Sequence, residues 1–432
     1  MEFEDTAPLA PQALESESRR RFVAGAGAMA VAAALGTPGL ASAASSSSPL
    51  PARTAKDMGR TLRVGMLLPE GRVYPLLGAQ LMAGAQAFAQ QQASGPQLRF
   101  TPIAYGSRSS QAQRAAEELL ATGQVDVLAG FVDTGTLAAP WEPLLERYQV
   151  PLLVGDTGAN ALNPQARSPW VMHNSLGYWQ AAWAAGRWAA KALGPRAIVA
   201  VGPADSGFDH LPAFERGFSS AGGRVQTTVF TRAADGTSQL DALARLVSQT
   251  RPDLVYALDS GVRADAFQQF WSRSDVAGHV PLVAGGMLAE TMAAASRAQP
   301  FGLGARIWAT RPWQEGAGGA TLASTLGTRN PTSFHLLGYE LAQRTHKAAT
   351  LSAAAGARGL SLAQAMAVAV LQTPRGEVRL DAASGETVAP TYLHGLHRGT
   401  TSPVVALPSV PAGSCQGLCE VLTSRIAGIY LA

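Results

Sequence analysis

The sequence predicts an α/β protein made of two doubly wound parallel-sheet lobes, which several crossovers join through a hinge. The main observation is an internal repeat in the sequence. Two apolar segments that begin Val-Pro-Leu, at Val150 and Val280, each follow an earlier apolar segment and a helical stretch, and each stops at a loop containing glycine. Short β-branched runs also alternate with helical runs, which indicates parallel strands joined by right-handed crossovers. Since the loops at the carboxyl ends of such strands would face each other, we expect a cleft that binds a small ligand.

The first 43 residues fit an export signal. Ser18-Arg19-Arg20-Arg21-Phe22-Val23 matches the twin-arginine pattern, and the Ala/Gly-rich stretch that follows, 23–35, is too short to span a bilayer. Small residues at Ala41-Ser42-Ala43 favour cleavage near Ala43. We therefore expect a periplasmic protein that meets the twin-arginine translocase during export, with a disordered Ser/Pro linker over 44–60.

Composition and motifs exclude several function classes. The 432 residues carry a formal net charge of +4, and no basic block with interleaved aromatics indicates a nucleic-acid surface. The chain has no Gly-x-Ser-x-Gly elbow, no phosphate-binding Walker loop and no His-Glu-x-x-His. His394 and His397 are spaced like a ligand pair but lack a third partner. We expect no enzymatic activity, no cofactor and no metal.

The first lobe is predicted over 61–174, with a return of the chain over 311–373. Strands are expected at 64–68, 98–105, 125–130 and from Leu152, and helices at 76–92 and from Ser110. A further helix should run to Tyr148, interrupted by Pro140 and Pro143.

The second lobe is predicted over 175–310 and 374–400, after a crossover near 170–175. It repeats the alternation of helices and strands, and the late segment should form a hairpin around Asp381 to Gly385. Residues 401–432 are expected to be a C-terminal tail.

Four short motifs are similar to those of type I periplasmic solute-binding proteins of the branched-chain amino-acid (Leu/Ile/Val-binding) group of ABC transporters. They are Arg63-Val64-Gly65-Met66-Leu67-Leu68-Pro69, the Val-Asp-Val-Leu-Ala-Gly segment from Val125, the Gln-Val-Pro-Leu-Leu-Val segment from Gln149, and Gly338-Tyr339. The resemblance covers roughly 61–395. It implies a hinged, Venus-flytrap protein of the periplasmic-binding-protein-like I fold, which presents a small solute to an ABC permease in the inner membrane.

The resemblance also implies a set of ligand-binding residues in the loops after the strands. The loops after the third and fourth strands would offer hydroxyl and backbone N–H groups to the solute, an aromatic residue of the second lobe would cover it, and Tyr74 is a candidate at the rim. The complete set is Tyr74, Asp133, Thr134, Gly135, Thr136, Asp156, Thr157, Gly158, Ala159, Phe208, Asp259, Ser260 and Met287.

Two observations bear on the identity of the solute, and the first argues against a branched-chain amino acid. The family places a carboxylate near the position of Met287 to neutralise the ligand ammonium, and the nearest acid here is Glu290. Four aspartates, Asp133, Asp156, Asp205 and Asp259, follow strand ends. They could cap helix N-termini, but two of them facing the cleft would favour an amine or another cationic solute.

Cys415 and Cys419 are the only cysteines and lie in the tail. In an oxidising compartment their separation allows a disulfide, which would be a small staple. A redox-active or partner-docking tail is the alternative, although the spacing is not Cys-x-x-Cys.

The predicted function is the capture of a small polar solute between two lobes and its delivery to an ABC importer. A ligand-sensing or accessory protein of a periplasmic sensor or dehydrogenase system, with the same fold, is the first alternative. An exported hydrolase is the second.

Overall fold

The computed structural model describes residues 61–106, 109–132, 138–162, 167–298, 301, 304–313, 317–352, 358–396 and 404–410. The predicted signal and linker, the predicted ligand residues Asp133, Thr134, Gly135 and Thr136, and both cysteines lie outside these ranges. None of the helices within them is long and apolar enough to cross a bilayer.

Lobe one is built on a parallel five-stranded sheet of order β2-β1-β3-β4-β5. Its strands are β1 Thr61–Pro69, β2 Gln97–Tyr105, β3 Val127–Phe131, β4 Leu152–Asp156 and β5 Val171–Ser175. The helices between them are α1 Leu77–Gln91, α2 Ser109–Leu120 and α3 Ala138–Tyr148. Strands β3 and β4 and the edge strand β5 are buried along their whole length, so helices cover both faces of this part of the sheet.

Lobe two is built on a seven-stranded sheet of order β15-β14-β10-β9-β8-β6-β7, in which β14 and β15 are antiparallel to their neighbours. Its strands are β6 Arg196–Val201, β7 Arg224–Phe230, β8 Leu254–Leu258, β9 Leu282–Ala284, β10 Ile307–Arg311, β14 Thr391–Gly395 and β15 Val404–Leu407. Its helices are α4 Tyr178–Ala192, α5 His210–Ser220, α6 Leu240–Thr250, α7 Val262–Arg273 and α8 Gly286–Ala298.

After β10 the chain returns to lobe one, as the sequence predicted. The returning helices are α9 Ala317–Leu326, α10 Ser333–Leu351 and α11 Gly359–Val368. Leu337 and Leu341 of α10, with Leu362 and Met366 of α11, belong to the buried core of lobe one. The chain therefore crosses between the lobes three times, after β5, after β10 and before β14, which makes a hinge and not a loose tether.

A small antiparallel sheet lies beside the hinge. It consists of β11 Leu371–Thr373, β12 Gly376–Leu380 and β13 Thr387–Val388, and its hairpin turns at Asp381–Gly385 as predicted. The sequence assigned 374–400 as a whole to lobe two. In the structure Thr387 bonds the backbone of β5 at both His173 and Ser175, so this hairpin packs on lobe one and only β14 continues into the sheet of lobe two.

Three further local differences separate prediction from structure. The predicted crossover at 170–175 contains a strand, β5. Helix α3 continues through Pro143, because Pro140 falls in the first turn, where the amide has no helical acceptor, and Pro143 removes a single hydrogen bond. The predicted tail also begins with β15, an edge strand of lobe two. The fold class itself, two doubly wound α/β lobes joined by a hinge, is confirmed.

Candidate functional site

Loops from the two lobes meet at the carboxyl ends of their strands and bond to each other directly. The Gly261 N–H, after β8 in lobe two, donates to the Tyr74 hydroxyl oxygen, after β1 in lobe one, at 2.8 Å. Asp209 makes two more such bonds: its N–H donates to the carbonyl of Ala159 at 2.9 Å, and its Oδ2 accepts from the Ala161 N–H at 2.7 Å. The predicted cleft is therefore a real boundary between the lobes, closed here by hydrogen bonds across it.

Apolar side chains of lobe two cross this boundary. Phe208 and Met287 are 1% and 5% exposed, and both pack into the core cluster of lobe one. The Tyr178 hydroxyl lies 3.5 Å from the sulfur of Met287. Phe208 was predicted to cover a solute; in the structure it is buried in the core cluster between the lobes and is not part of the cavity lining.

A cavity of about 540 Å³ opens beside these contacts, with walls from both lobes. Lobe one supplies Tyr74 and the start of α1, together with the first residues of α10, Ser333 and Phe334. Lobe two supplies one face of α8, including Met287 and Glu290. A cavity of this size is ample for a small solute, and mostly apolar walls with a few polar groups are typical of small-molecule sites.

Glu290, which the sequence left outside the predicted ligand residues, is a partly buried acid in the wall of this cavity. Ser333 Oγ donates to its Oε1 across the lobes, and Arg311 Nη2 lies 3.8 Å from its Oε2. Arg311 is buried, and its guanidinium lies over the Trp313 ring at 4.6 Å. The carboxylate absent at Met287 is thus present one helical turn later, and it already has a cationic neighbour.

The loop after β4 carries a buried hydroxyl of special interest. Thr157 is 1% exposed, and its Oγ1 has no hydrogen-bond partner among the described residues. Its carbonyl and that of Gly158 accept from the N–H groups of Tyr178 and Trp179, at 3.0 and 2.8 Å, which satisfies the start of α4. A buried hydroxyl is costly without a partner, so Thr157 is the predicted loop residue whose polar group has an unmet hydrogen-bonding capacity among the described residues.

Asp156 holds that loop in shape. Its Oδ1 accepts from the Gly158 N–H at 2.8 Å, while its Oδ2 lies 2.9 Å from His173 Nδ1 on the neighbouring strand β5. Gly158 has φ 69°, a left-handed conformation in which glycine is favoured. Asp156 therefore supports the loop from below, and Thr157, Gly158 and Ala159 form its buried turn.

Asp259, Ser260 and Asp205 form a network inside lobe two. Ser260 Oγ donates to Asp205 Oδ1 at 2.5 Å, and Asp259 accepts from Thr231 Oγ1 at 2.8 Å and from the Ser260 N–H at 3.0 Å. Gly202 packs so tightly against this network that an added Cβ would lie 2.4 Å from Asp259 Oδ1. Neither carboxylate caps a helix. Both carboxylates accept hydrogen bonds from groups of lobe two.

Burial sets the protonation states at the boundary. It lowers the pKa of His210 to about 4 and raises the pKa of Asp209 to about 7. Burial also raises the pKa values of the Tyr74 and Tyr178 hydroxyls. Near neutral pH the boundary between the lobes thus contains a neutral imidazole and neutral phenols. Among the described residues, no group of three or more His, Cys, Asp or Glu could hold a metal ion.

The sequence pointed to the strand-end loops and to Met287 at the start of α8, but it did not indicate the rest of α8 or the start of α10 as parts of the cavity wall. Ser333 and Phe334 begin α10, far along the chain from every predicted ligand residue. Only the capping-box threonine, Thr332, indicated that a helix starts there. No local pattern indicates that this helix start faces Glu290.

Known proteins of the same fold were found by comparison. A family model described as periplasmic binding protein matches residues 61–400. A comparison with curated proteins gives no match. A solute-binding protein of an ABC transporter from R. palustris, solved in complex with benzoate, is 24% identical, with a TM-score of 0.64 over 81% of this chain and 97% of that chain.

Two further solved structures have a similar fold. An ABC transporter substrate-binding protein from Sphaerobacter thermophilus is 18% identical, with a TM-score of 0.69 over 82% of this chain and 98% of that chain. A leucine-binding protein, LivK, from Thermotoga maritima is 16% identical, with a TM-score of 0.60 over 81% and 99%. With the family match extending through both lobes and the hinge, the chain belongs to the periplasmic binding protein family.

Proposed function

We propose that this protein captures a small solute in the gap between its lobes and delivers it to an ABC importer. The observation that carries the proposal is the cavity of about 540 Å³ whose opposite walls, Tyr74 with Phe334 and Met287 with Glu290, belong to different lobes. A solute bound there contacts both lobes at once, so its binding energy favours the closed form over the open one. A transporter that recognises only the closed form would then select loaded protein.

The residues predicted from sequence take distinct parts in this proposal. Of the predicted residues that the structure describes, Tyr74 and Met287 line the cavity. Thr157, Gly158, Ala159 and Phe208 are buried beside the boundary between the lobes and outside the cavity lining, and we propose that a solute reaches them only after the lobes rearrange around it. Asp156, Asp259 and Ser260 hold their loops from behind, through the hydrogen bonds described above. The loop of Asp133, Thr134, Gly135 and Thr136, after β3, is proposed to complete the lobe-one side.

The solute we propose has an apolar body and a small polar head. Apolar surface makes up most of the cavity wall, and the partly buried acid Glu290 lies beside Arg311. Asp265 and Arg297 also line the cavity. Solved structures of this fold hold benzoate, 4-hydroxybenzoate or Leu. Aromatic acids and apolar amino acids are therefore the first two classes to examine.

A thermal-shift screen tests the proposal. Purified mature protein is heated with benzoate, 4-hydroxybenzoate, leucine, benzamide and benzylamine, and hits are confirmed by calorimetric titration. A solute present at about 100 times its Kd should stabilise the fold by about 2.7 kcal/mol. A hit that is turned over, with products seen by mass spectrometry, would contradict a pure binding role.

The same proposal places the mature protein in the periplasm, after twin-arginine export and cleavage near Ala43. Arg19→Lys combined with Arg20→Lys should retain the precursor in the cytoplasm, as seen by cell fractionation. The matched control, Arg21→Lys, should still export. Equal export of both variants would contradict a twin-arginine signal.

A further inference from the structure

A second apolar groove lies on the outside of lobe two, away from the solute cavity. It has a volume of about 390 Å³ and runs between α4 and the segment after β15. Helix α4 contributes Trp183, Arg187, Trp188 and Lys191, and residues 408–410 form the other wall. Two large aromatic side chains at a surface groove are unusual for a monomeric protein and mark a contact site.

The two indoles are held in place, but each stays partly exposed. Trp183 and Trp188 pack against the core cluster of lobe two and are only partly buried. Trp188 contacts Trp308 edge-on at 4.8 Å, and the Arg216 guanidinium lies over Trp183 at 5.8 Å. The groove is therefore preformed, and filling it needs little reorganisation of its walls.

The segment that follows β15 forms part of this groove. Strand β15 pairs with β14 at the edge of the sheet, and Val410, three residues beyond β15, both lines the groove and packs on the same core cluster. Residues 411–432 follow directly and lie outside the described residues. They also lie beyond the family match, which ends at 400, so this segment is an addition that the family model does not contain.

The sequence of that addition has the pattern of an amphipathic helix. Leu418, Val421, Leu422, Ile426 and Ile429 recur at spacings of three or four residues. Glu420, Thr423 and Ser424 fall on the opposite side of such a helix, whereas Arg425 falls on the apolar side, between Val421 and Leu418. An isolated helix of this length is marginal in water, so its apolar face needs a surface to pack on.

We propose that residues 418–429 form this helix and dock in the groove of Trp183 and Trp188, so that the protein covers its own surface. The geometry allows it: the eight residues from Val410 to Leu418 reach about 26 Å when extended, and a twelve-residue helix is about 18 Å long. Helix α4, with 15 residues, is of comparable length. The connecting stretch contains Cys415, and Cys419 lies within the helix, so a disulfide between them would fix its entry.

Lysine acetylation of the full mature chain tests the docking. The chain has three lysines: Lys191 lines the groove, Lys56 lies in the linker, and Lys347 donates to the Val370 carbonyl on lobe one. Lys347 and Lys56 serve as internal standards for the reaction with acetic anhydride, followed by mass spectrometry. Docking predicts that Lys191 is protected in the wild type, and that Leu422→Glu with Ile426→Glu removes the protection.

The matched control places the same charges on the polar side of the helix. Thr423→Glu with Ser424→Glu should leave Lys191 protected. Acrylamide quenching of tryptophan fluorescence should agree, rising only in the first pair. Docking is overturned if Lys191 reacts fully in the wild type, if both pairs act alike, or if protection disappears on dilution, which would indicate a second copy in the groove. An unchanged melting temperature shows that each variant is folded.

Discussion

Glu340 and Arg375 form a bidentate ion pair at the hinge, where both side chains are almost completely buried. Arg375 donates from Nε to Oε1 of Glu340 at 2.8 Å and from Nη2 to Oε2 at 2.7 Å, and Nη2 also donates to the Ser175 carbonyl at 2.9 Å. Asn174 Nδ2 donates to the same carboxylate at 2.8 Å. This network joins α10, the segment before β12 and the end of β5 at the first crossing between lobes.

Removing one partner of this pair should strongly destabilise the protein. Arg375→Met leaves the Glu340 carboxylate buried without its cation, which costs about 3–5 kcal/mol. Adding Glu340→Gln to Arg375→Met should recover part of that loss, because the uncompensated charge disappears while Asn174 keeps an acceptor. Urea unfolding of both variants measures the effect. A double variant less stable than Arg375→Met alone would contradict the interpretation.

Thr157→Val should separate binding from stability. The change removes a hydroxyl that makes no hydrogen bond within the described residues, so the unfolding free energy should stay the same or rise. If the hydroxyl binds the solute, affinity falls about tenfold, the value of one hydrogen bond of about 1.4 kcal/mol.

Thr231→Val is the matched control, since Thr231 Oγ1 donates to Asp259 inside lobe two. Stability should fall there by about 1 kcal/mol, with a smaller effect on the solute. Calorimetric titration and urea unfolding measure both quantities. Unchanged affinity in Thr157→Val would exclude this oxygen from the site.

Tyr74→Phe should loosen the closed form. It deprives the Gly261 N–H of its acceptor across the lobes, which weakens closure by about 1 kcal/mol. The radius of gyration from small-angle X-ray scattering should increase, and solute affinity should fall. Tyr105→Phe removes a hydroxyl that donates to the Phe131 carbonyl within lobe one, so it should cost stability without changing the radius. The same radius of gyration in both variants would contradict a role of the Tyr74–Gly261 hydrogen bond in closing the lobes.

Asp209 and His210 should give opposite pH dependences. The pKa of Asp209 is raised to about 7, so the folded state holds a proton that the unfolded state releases, and its contribution to stability is lost as pH rises toward 7. The pKa of His210 is lowered to about 4, so the unfolded state binds the extra proton, and its contribution grows as pH rises from 4 to about 6.5.

Replacing either Asp209 or His210 should leave a pH dependence of stability that reflects the other group. Relative to the wild type, Asp209→Asn should gain stability as pH rises from 4 to 7, and His210→Asn should lose it up to about pH 6.5. Melting temperatures measured across pH 4–8 provide the comparison. Two parallel profiles would contradict the assignment of these shifts.

The alternation of strands and helices and the repeated Val-Pro-Leu segment were enough to predict the two lobes, because buried parallel strands leave continuous apolar runs in the sequence. They could not indicate β5, whose His173 and Asn174 are polar yet buried. These side chains are satisfied by Asp156 and Glu340, which only the tertiary structure brings near. Glu290 and Ser333 illustrate the same limit, since the bond between them exists only where the lobes meet. Strand-end loops are a property of the local fold, whereas the cavity wall depends on how two separate lobes close.

Blocking the cavity from one wall tests the central claim most directly. Ala294 lines it on α8, one turn beyond Glu290, and Ala294→Trp should fill the gap between the lobes. Ala367→Trp is the control, because Ala367 lines a separate cavity on lobe one. Calorimetric titration with the best solute of the thermal-shift screen should show binding abolished in Ala294→Trp and preserved in Ala367→Trp. Wild-type affinity in Ala294→Trp would show that the solute does not bind between the lobes.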